Sequence, residues 1–128
     1  MRGRLAAISL VVAGLLSSPV PASAHHGAAA FETSKTITMK ATVTDWFWAN
    51  PHCFVKFDYK NDKGEVEHWV AETTNPAMLN RVGWTKETLK AGDQVTLYVN
   101  PNKVGAKITF LQKVVFPDGK ELSTAKAF

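Results

Sequence analysis

Residues 36–48 read TITMKATVTDWFW, and their alternation decides the fold. Ile37, Met39, Ala41 and Val43 fall on one face; Thr36, Thr38, Lys40, Thr42 and Thr44 fall on the other. Period-two patterning of this kind is the mark of a strand buried on one side. The next run, HCFVKFDY at 52–59, puts Cys53, Val55, Phe57 and Tyr59 on one side and His52, Phe54, Lys56 and Asp58 on the other. NDKG at 61–64 predicts a turn, with Gly64 free to take positive φ. EVEHWVAET then returns as a third strand. Val66, His68, Val70 and Glu72 share one of its faces, Trp69 and Ala71 the other, and the pattern leaves open which is inward.

After this hairpin the pattern changes. Asn75 precedes PAMLNRVG, with Asn as N-cap, Pro at the first helical position and Gly83 past the end, which predicts one or two helical turns. TKETLKAGD adds a second short turn, capped by Thr85, with Leu89 packing inward. QVTLYV is a fourth strand with Val95, Leu97 and Val99 inward. Residues 101–105 form a loop. KITFLQKVVF is a fifth strand whose apolar residues do not alternate cleanly, which predicts a bulge. PDGKEL reads as a turn before a loose tail. Five strands with a short helix between the third and fourth give a mainly β chain, a small OB-like five-stranded barrel. The competing architecture is an open β-sandwich; the position of the helix and the length of the strands favour the barrel. The chain divides into a leader at 1–24, an N-terminal segment at 25–35, the barrel at 36–122 and a tail at 123–128.

The leader carries Arg2 and Arg4, an uncharged LAAISLVVAGLL, and SSPVPASA. This is the order of a secretory signal peptide, with Ala22 and Ala24 in the A-x-A arrangement and a cut expected after Ala24. The apolar run falls short of the roughly 20 residues that span a bilayer, and Pro19 and Pro21 would break a continuing helix. The expected location is periplasmic or secreted, with no transmembrane segment once the leader is removed. Loss of Arg2 and Arg4 takes the formal charge from +4 to +2, which gives no reason to expect a nucleic-acid partner. Cys53 is the one cysteine, so no internal disulfide forms.

Several blocks together carry a family resemblance. These are AHHG, ATVTDWFWANPHCFVKFDY, HWVAETTNPAMLNRVGWTKETLKAGDQVTLYVNP and VVFPDGKEL, of which WANPH and GWTKETLKAGD are the most specific. The chain resembles a family of small exported bacterial proteins known only as a domain of unknown function. The resemblance implies an exported single-domain β protein and carries no activity with it.

The candidate chemistry lies in four histidines, His25, His26, His52 and His68. A cut after Ala24 makes His25 N-terminal, so its α-amine and imidazole Nδ1 can chelate one metal together. A second imidazole would complete a nitrogen-only site, which suits Cu(II). His52, in the ANPH turn between two strands, is the candidate remote ligand. His26 offers a local alternative through its amide and ring, and His68 lies on a strand expected to pair with that following His52. A histidine pair after a leader is equally a plain soluble start, and loop or strand histidines serve turns and surfaces. The leading reading is an exported binding module for a transition-metal ion, copper first. Its rival is a metal-free protein or small-ligand interaction module using Trp46, Trp48 and Trp84 on an aromatic barrel face. A copper enzyme is the third class, without a recognisable substrate platform. Cys53 and His52 are adjacent strand residues that point to opposite faces, so they do not form a nucleophile–base pair. Asp45, Asp58, Glu67 and Glu72 read as solvated strand carboxylates. No Gly-rich phosphate loop, CxxC or CxxCH motif is present.

Overall fold

The computed structural model describes residues 28–125. Strands β1 (Ile37–Phe47), β2 (Phe54–Lys60) and β3 (Val66–Glu72) form an antiparallel meander, and helix α1 (Pro76–Asn80) follows. β4 (Gln94–Asn100), β5 (Ile108–Val115) and β6 (Glu121–Ser123) complete the sheet. The strand order is β3-β2-β1-β4-β5-β6, and β3 also pairs with β5 in parallel, which closes the first five strands into a barrel. The connectivity is that of the OB-like barrel read from the sequence.

The inward faces follow the alternation. Met39, Ala41 and Val43 of β1, Val55 and Phe57 of β2, and Leu97 and Val99 of β4 are buried in one cluster. Val55 faces Ala71 and Phe57 faces Trp69, so Trp69 and Ala71 form the inward side of β3 and His68, Val70 and Glu72 the outer side. One irregularity matters for the site. Val43 pairs with Phe57 and Asp45 with Lys56, so Thr44 is an extra residue, a β-bulge. Strict alternation would send Asp45 inward. The bulge resets the count: Asp45 and Phe47 turn outward, and Trp46, opposite Val55, turns into the barrel end. A second bulge in β5 sets Leu111 and Val114, three residues apart, both in the core, as the uneven pattern of that strand predicts.

One end of the barrel is plugged from the chain between β3 and β4. Asn75 caps α1, its Oδ1 accepting from the Met78 amide at 3.0 Å, and Pro76 occupies the first turn. Gly83, at φ +91°, turns the chain out of the helix. Leu79, Trp84 and Leu89 are buried beneath it.

Two elements go beyond the sequence reading. The PDGKEL segment is a turn that runs into a short strand, β6: β6 pairs with β5, and buried Thr124 donates its hydroxyl to the Leu111 carbonyl at 2.8 Å. The segment before β1 is tied down as well. Phe31 is buried and bridges Asn102; the Glu32 amide donates to the Pro101 carbonyl at 2.9 Å and the Lys103 amide to the Ala30 carbonyl at 3.0 Å. Buried Asn100 locks this strap, donating to the Lys35 carbonyl at 2.7 Å while accepting from Gln112 at 2.6 Å.

Candidate functional site

His52 lies in the loop joining β1 to β2, directly after a cis Asn50–Pro51 peptide. The loop ends where Cys53 takes up strand pairing, exchanging backbone hydrogen bonds with Thr73 and Thr74. Cys53 points inward and is buried; His52 points out. The side chains therefore face opposite ways, as adjacent extended residues must. Burial pushes the Cys53 thiol above its ordinary range, against a smaller opposing effect of the Ala49 carbonyl, so it is a packed thiol and not a ready nucleophile.

The partner of His52 comes from β3. Its Nδ1–H donates to Glu72 Oε1 at 3.0 Å. An ionised carboxylate accepts only, so the shared proton sits on Nδ1, and Nε2 is the ring nitrogen left to meet another ligand. Nε2 has no partner among the described residues. Glu72 is held in place by its row: Phe47 faces Phe54, Phe54 faces Glu72, and Glu72 faces Phe110 across four strands. The Glu72 side chain is 18% exposed between these rings, whereas His52 is 47% exposed above it. Phe110 in turn packs against Phe31, ring centroids 5.6 Å apart. The row thus carries the N-terminal strap on the same outer wall as the His52–Glu72 pair.

His68 is paired separately. It faces Asp58 across the hairpin, and its Nδ1–H donates to Asp58 Oδ1 at 2.7 Å. Asp58 lies six residues along the strand direction from His52, about 20 Å at roughly 3.3 Å per residue. The strand pairing expected for His68 is present, but the register keeps it away from His52: each histidine has its own carboxylate at its own end of the hairpin. His25, His26 and the expected cut after Ala24 lie outside the described residues. Among the described residues no group of three His, Cys, Asp or Glu side chains comes together to hold a metal.

The tryptophans divide. Trp84 is wholly buried, its Nε1–H donating to the Ser123 carbonyl at 3.1 Å, so it is a core residue and not part of a binding face. Trp46 packs at a tilt between Trp84 and Trp48, ring centroids 5.8 and 5.6 Å away, and its Nε1–H donates to the Thr85 carbonyl at 3.1 Å. Trp46 and Trp48 are both only partly exposed. The aromatic surface that solvent reaches is instead Phe47, 47% exposed, stacked on Phe54 at 4.7 Å and 11°. The Thr44 bulge causes this exchange, and nothing in the local alternation announces it.

A third polar cluster sits at the barrel end away from α1. Trp69 Nε1 and Asn61 Nδ2 donate to the Glu67 carboxylate at 2.9 and 3.2 Å, and Lys107 Nζ lies 3.5 Å away. The Trp69 and Asn61 donors, with the Lys107 charge, hold the Glu67 carboxyl below its ordinary range.

No helix among the described residues is long and apolar enough to cross a membrane. No curated protein and no solved structure matches the chain. A family model does match, over residues 12–111, most of the length in which the barrel strands and the WANPH loop lie. The chain therefore belongs to that family, the family of unknown function DUF6152.

Proposed function

We propose that the protein is exported, loses its leader after Ala24, and acts as a binding module for one transition-metal ion, copper first. In this reading His25 supplies its α-amine and Nδ1, and His52 supplies Nε2. The observation that carries the reading is the His52–Glu72 contact. Metal-bound histidines as a rule donate their other ring N–H to a carboxylate, a backbone carbonyl or water, which fixes the tautomer and raises ligand basicity. His52 is held in that state by Glu72 at 3.0 Å, with Nε2 free. The strap adds support. Phe31 is anchored against Phe110, which neighbours Glu72. His25 precedes Phe31 by six residues, an extended reach of about 20 Å, enough to cover neighbouring strands about 4.8 Å apart. Copper(II) suits the nitrogen donor set, and a bare nitrogen-only site fits lending or buffering the ion. His26 is the local alternative ligand. His68, with its own carboxylate, stands outside this site.

The test uses protein processed to begin at His25, without a tag at its start. One Cu(II) per chain should bind, with nitrogen hyperfine structure in its electron paramagnetic resonance spectrum. One extra residue ahead of His25 should weaken binding sharply, as should His52→Ala, and Glu72→Ala should cost about 10- to 100-fold in affinity. If only His26→Ala matters, the ion sits on the local peptide and the barrel is a bystander. If none of the four changes alters binding, the metal reading fails.

A metal-free interaction module is the second reading, and one observation favours it: the stacked Phe47–Phe54 pair exposed on the outer wall, with Lys56 Nζ 5.9 Å from the Phe54 ring. Paired Phe47→Ser and Phe54→Ser substitutions that leave copper affinity unchanged but abolish the protein's physiological activity would move the function to that surface.

A further inference from the structure

The outer wall carries a second constellation, at the end of β2 away from His52. Two cross-strand rows lie side by side there. Lys60 faces Val66 of β3, and Lys40 faces Thr96 of β4, which in turn faces Val115 of β5. The β1–β2 register ends at the pair Ala41 and Tyr59, and Lys40 and Lys60 lie one residue beyond it. The next row runs from Asp58 through Thr42 to Gln94. All of these positions alternate with buried core residues and therefore point outward. Together the rows line a groove of about 530 Å³, walled at its far side by Phe116 and Pro117. Such a volume lies in the roughly 300–1,000 Å³ range of small-molecule sites.

The charge arrangement is what asks for a ligand. Lys40 and Lys60 both line this groove, both are exposed, and neither has an ion-pair partner among the described residues. The nearest carboxylate in the groove, Asp58, already accepts from His68 through Oδ1. An oxyanion held in the groove would give both ammonium groups a counter-charge. Around it, Thr42, Gln94 and Thr96 offer hydroxyl and amide groups, and the remaining oxygen of Asp58 suits a ligand hydroxyl. Val66 at one end and Phe116 at the other give apolar contact.

We propose that this groove binds a small hydroxylated organic oxyanion, a carboxylate or a phosphate ester, with its charged group between Lys40 and Lys60. The site is separate from the metal reading and does not depend on it.

Full-length processed protein labelled with ¹⁵N is titrated at constant ionic strength with gluconate and, separately, with glycerol 3-phosphate. Saturable shifts should concentrate at the amides of 40–42, 58–60 and 94–96. Lys40→Gln and Lys60→Gln should each weaken binding tenfold or more, while Lys56→Gln, an exposed lysine outside the groove, should not. The stronger of the two probes identifies the oxyanion. Thermal melting gives an independent readout: without ligand Lys60→Gln should melt no lower than the unsubstituted protein, and ligand should raise the midpoint of the unsubstituted protein more than that of the variant. Shifts spread equally over Lys63, Lys86, Lys90 and Lys103, unchanged affinity in both groove variants, or a lower ligand-free midpoint for Lys60→Gln would each overturn the proposal.

Discussion

Replacing Trp84 by Ala should bring the domain close to unfolding. Trp84 is wholly buried beneath α1, in ring contact with Trp46. A tryptophan buries about 150–250 Å², and at about 25 cal/mol per Å² that is about 4–6 kcal/mol. Large-to-small tryptophan changes in cores cost about 3–5 kcal/mol. Loss of the Nε1–H bond to the Ser123 carbonyl adds about 1 kcal/mol. The sum, about 4–6 kcal/mol, matches the lower end of the stability of a domain this size, about 5–15 kcal/mol. Trp84→Phe separates the two contributions. It keeps an aromatic ring and removes the donor, so a loss of about 1–3 kcal/mol is expected. Urea unfolding followed by far-ultraviolet circular dichroism is the suitable assay, because the substitution removes a fluorophore. A Trp84→Ala variant within 1 kcal/mol of the unsubstituted protein would refute the assignment of Trp84 to the core and return it to the candidate binding face.

Three further outcomes are expected. Val43→Asp or Val95→Asp places an unpaired carboxylate in the barrel and should abolish cooperative thermal unfolding; a variant that melts normally would contradict the inward face of β1 or β4. Glu67 has a lowered folded-state pKa, so its contribution to stability is present above the ordinary carboxylate range and is lost as pH falls through the folded value. Glu67→Gln should therefore lower the neutral plateau of the stability–pH curve and flatten its acid limb, and an unaltered acid limb would count against the Trp69 and Asn61 contacts. Cys53 should resist thiol reagents in the native protein and react only on unfolding, which mass spectrometry of pulse-alkylated samples reads directly.

Much of the barrel was legible because its signals are local. The odd-numbered inward face of β1, the Asn75–Pro76 helix start and the Gly83 exit each depend on a few adjacent residues. What escaped reading depends on counting across strands. The Thr44 bulge reverses the face of every later residue in β1, so Trp46 and Phe47 exchange roles with no change in composition. The two faces of β3 are both partly apolar, with Val70 on one and Ala71 on the other, and only pairing with Val55 and Phe57 separates them. The three residues of β6 are too few for a period to be visible. At the candidate site, His52 stood out as a loop histidine after proline, but its Glu72 partner is 20 residues away and reaches it only through strand register. The register also parts His52 from His68.

The parallel seam between β3 and β5 bears on how the barrel assembles in time. β5 gives one edge to β4 and divides the other, its first half to β3 and its second to β6. The β1–β2–β3 meander and the β4–β5–β6 meander each close through short connections, whereas the seam joins Val70 to Ile108 across the helix, β4 and two loops. Loop-closure entropy must be met before that contact is rewarded. The two meanders are therefore expected to form before the contacts that join them, the β1–β4 pairing and this seam. Weakening it, for instance at the Thr109 hydroxyl that donates to the Val70 carbonyl at 3.1 Å, should hasten unfolding while leaving the refolding rate nearly untouched.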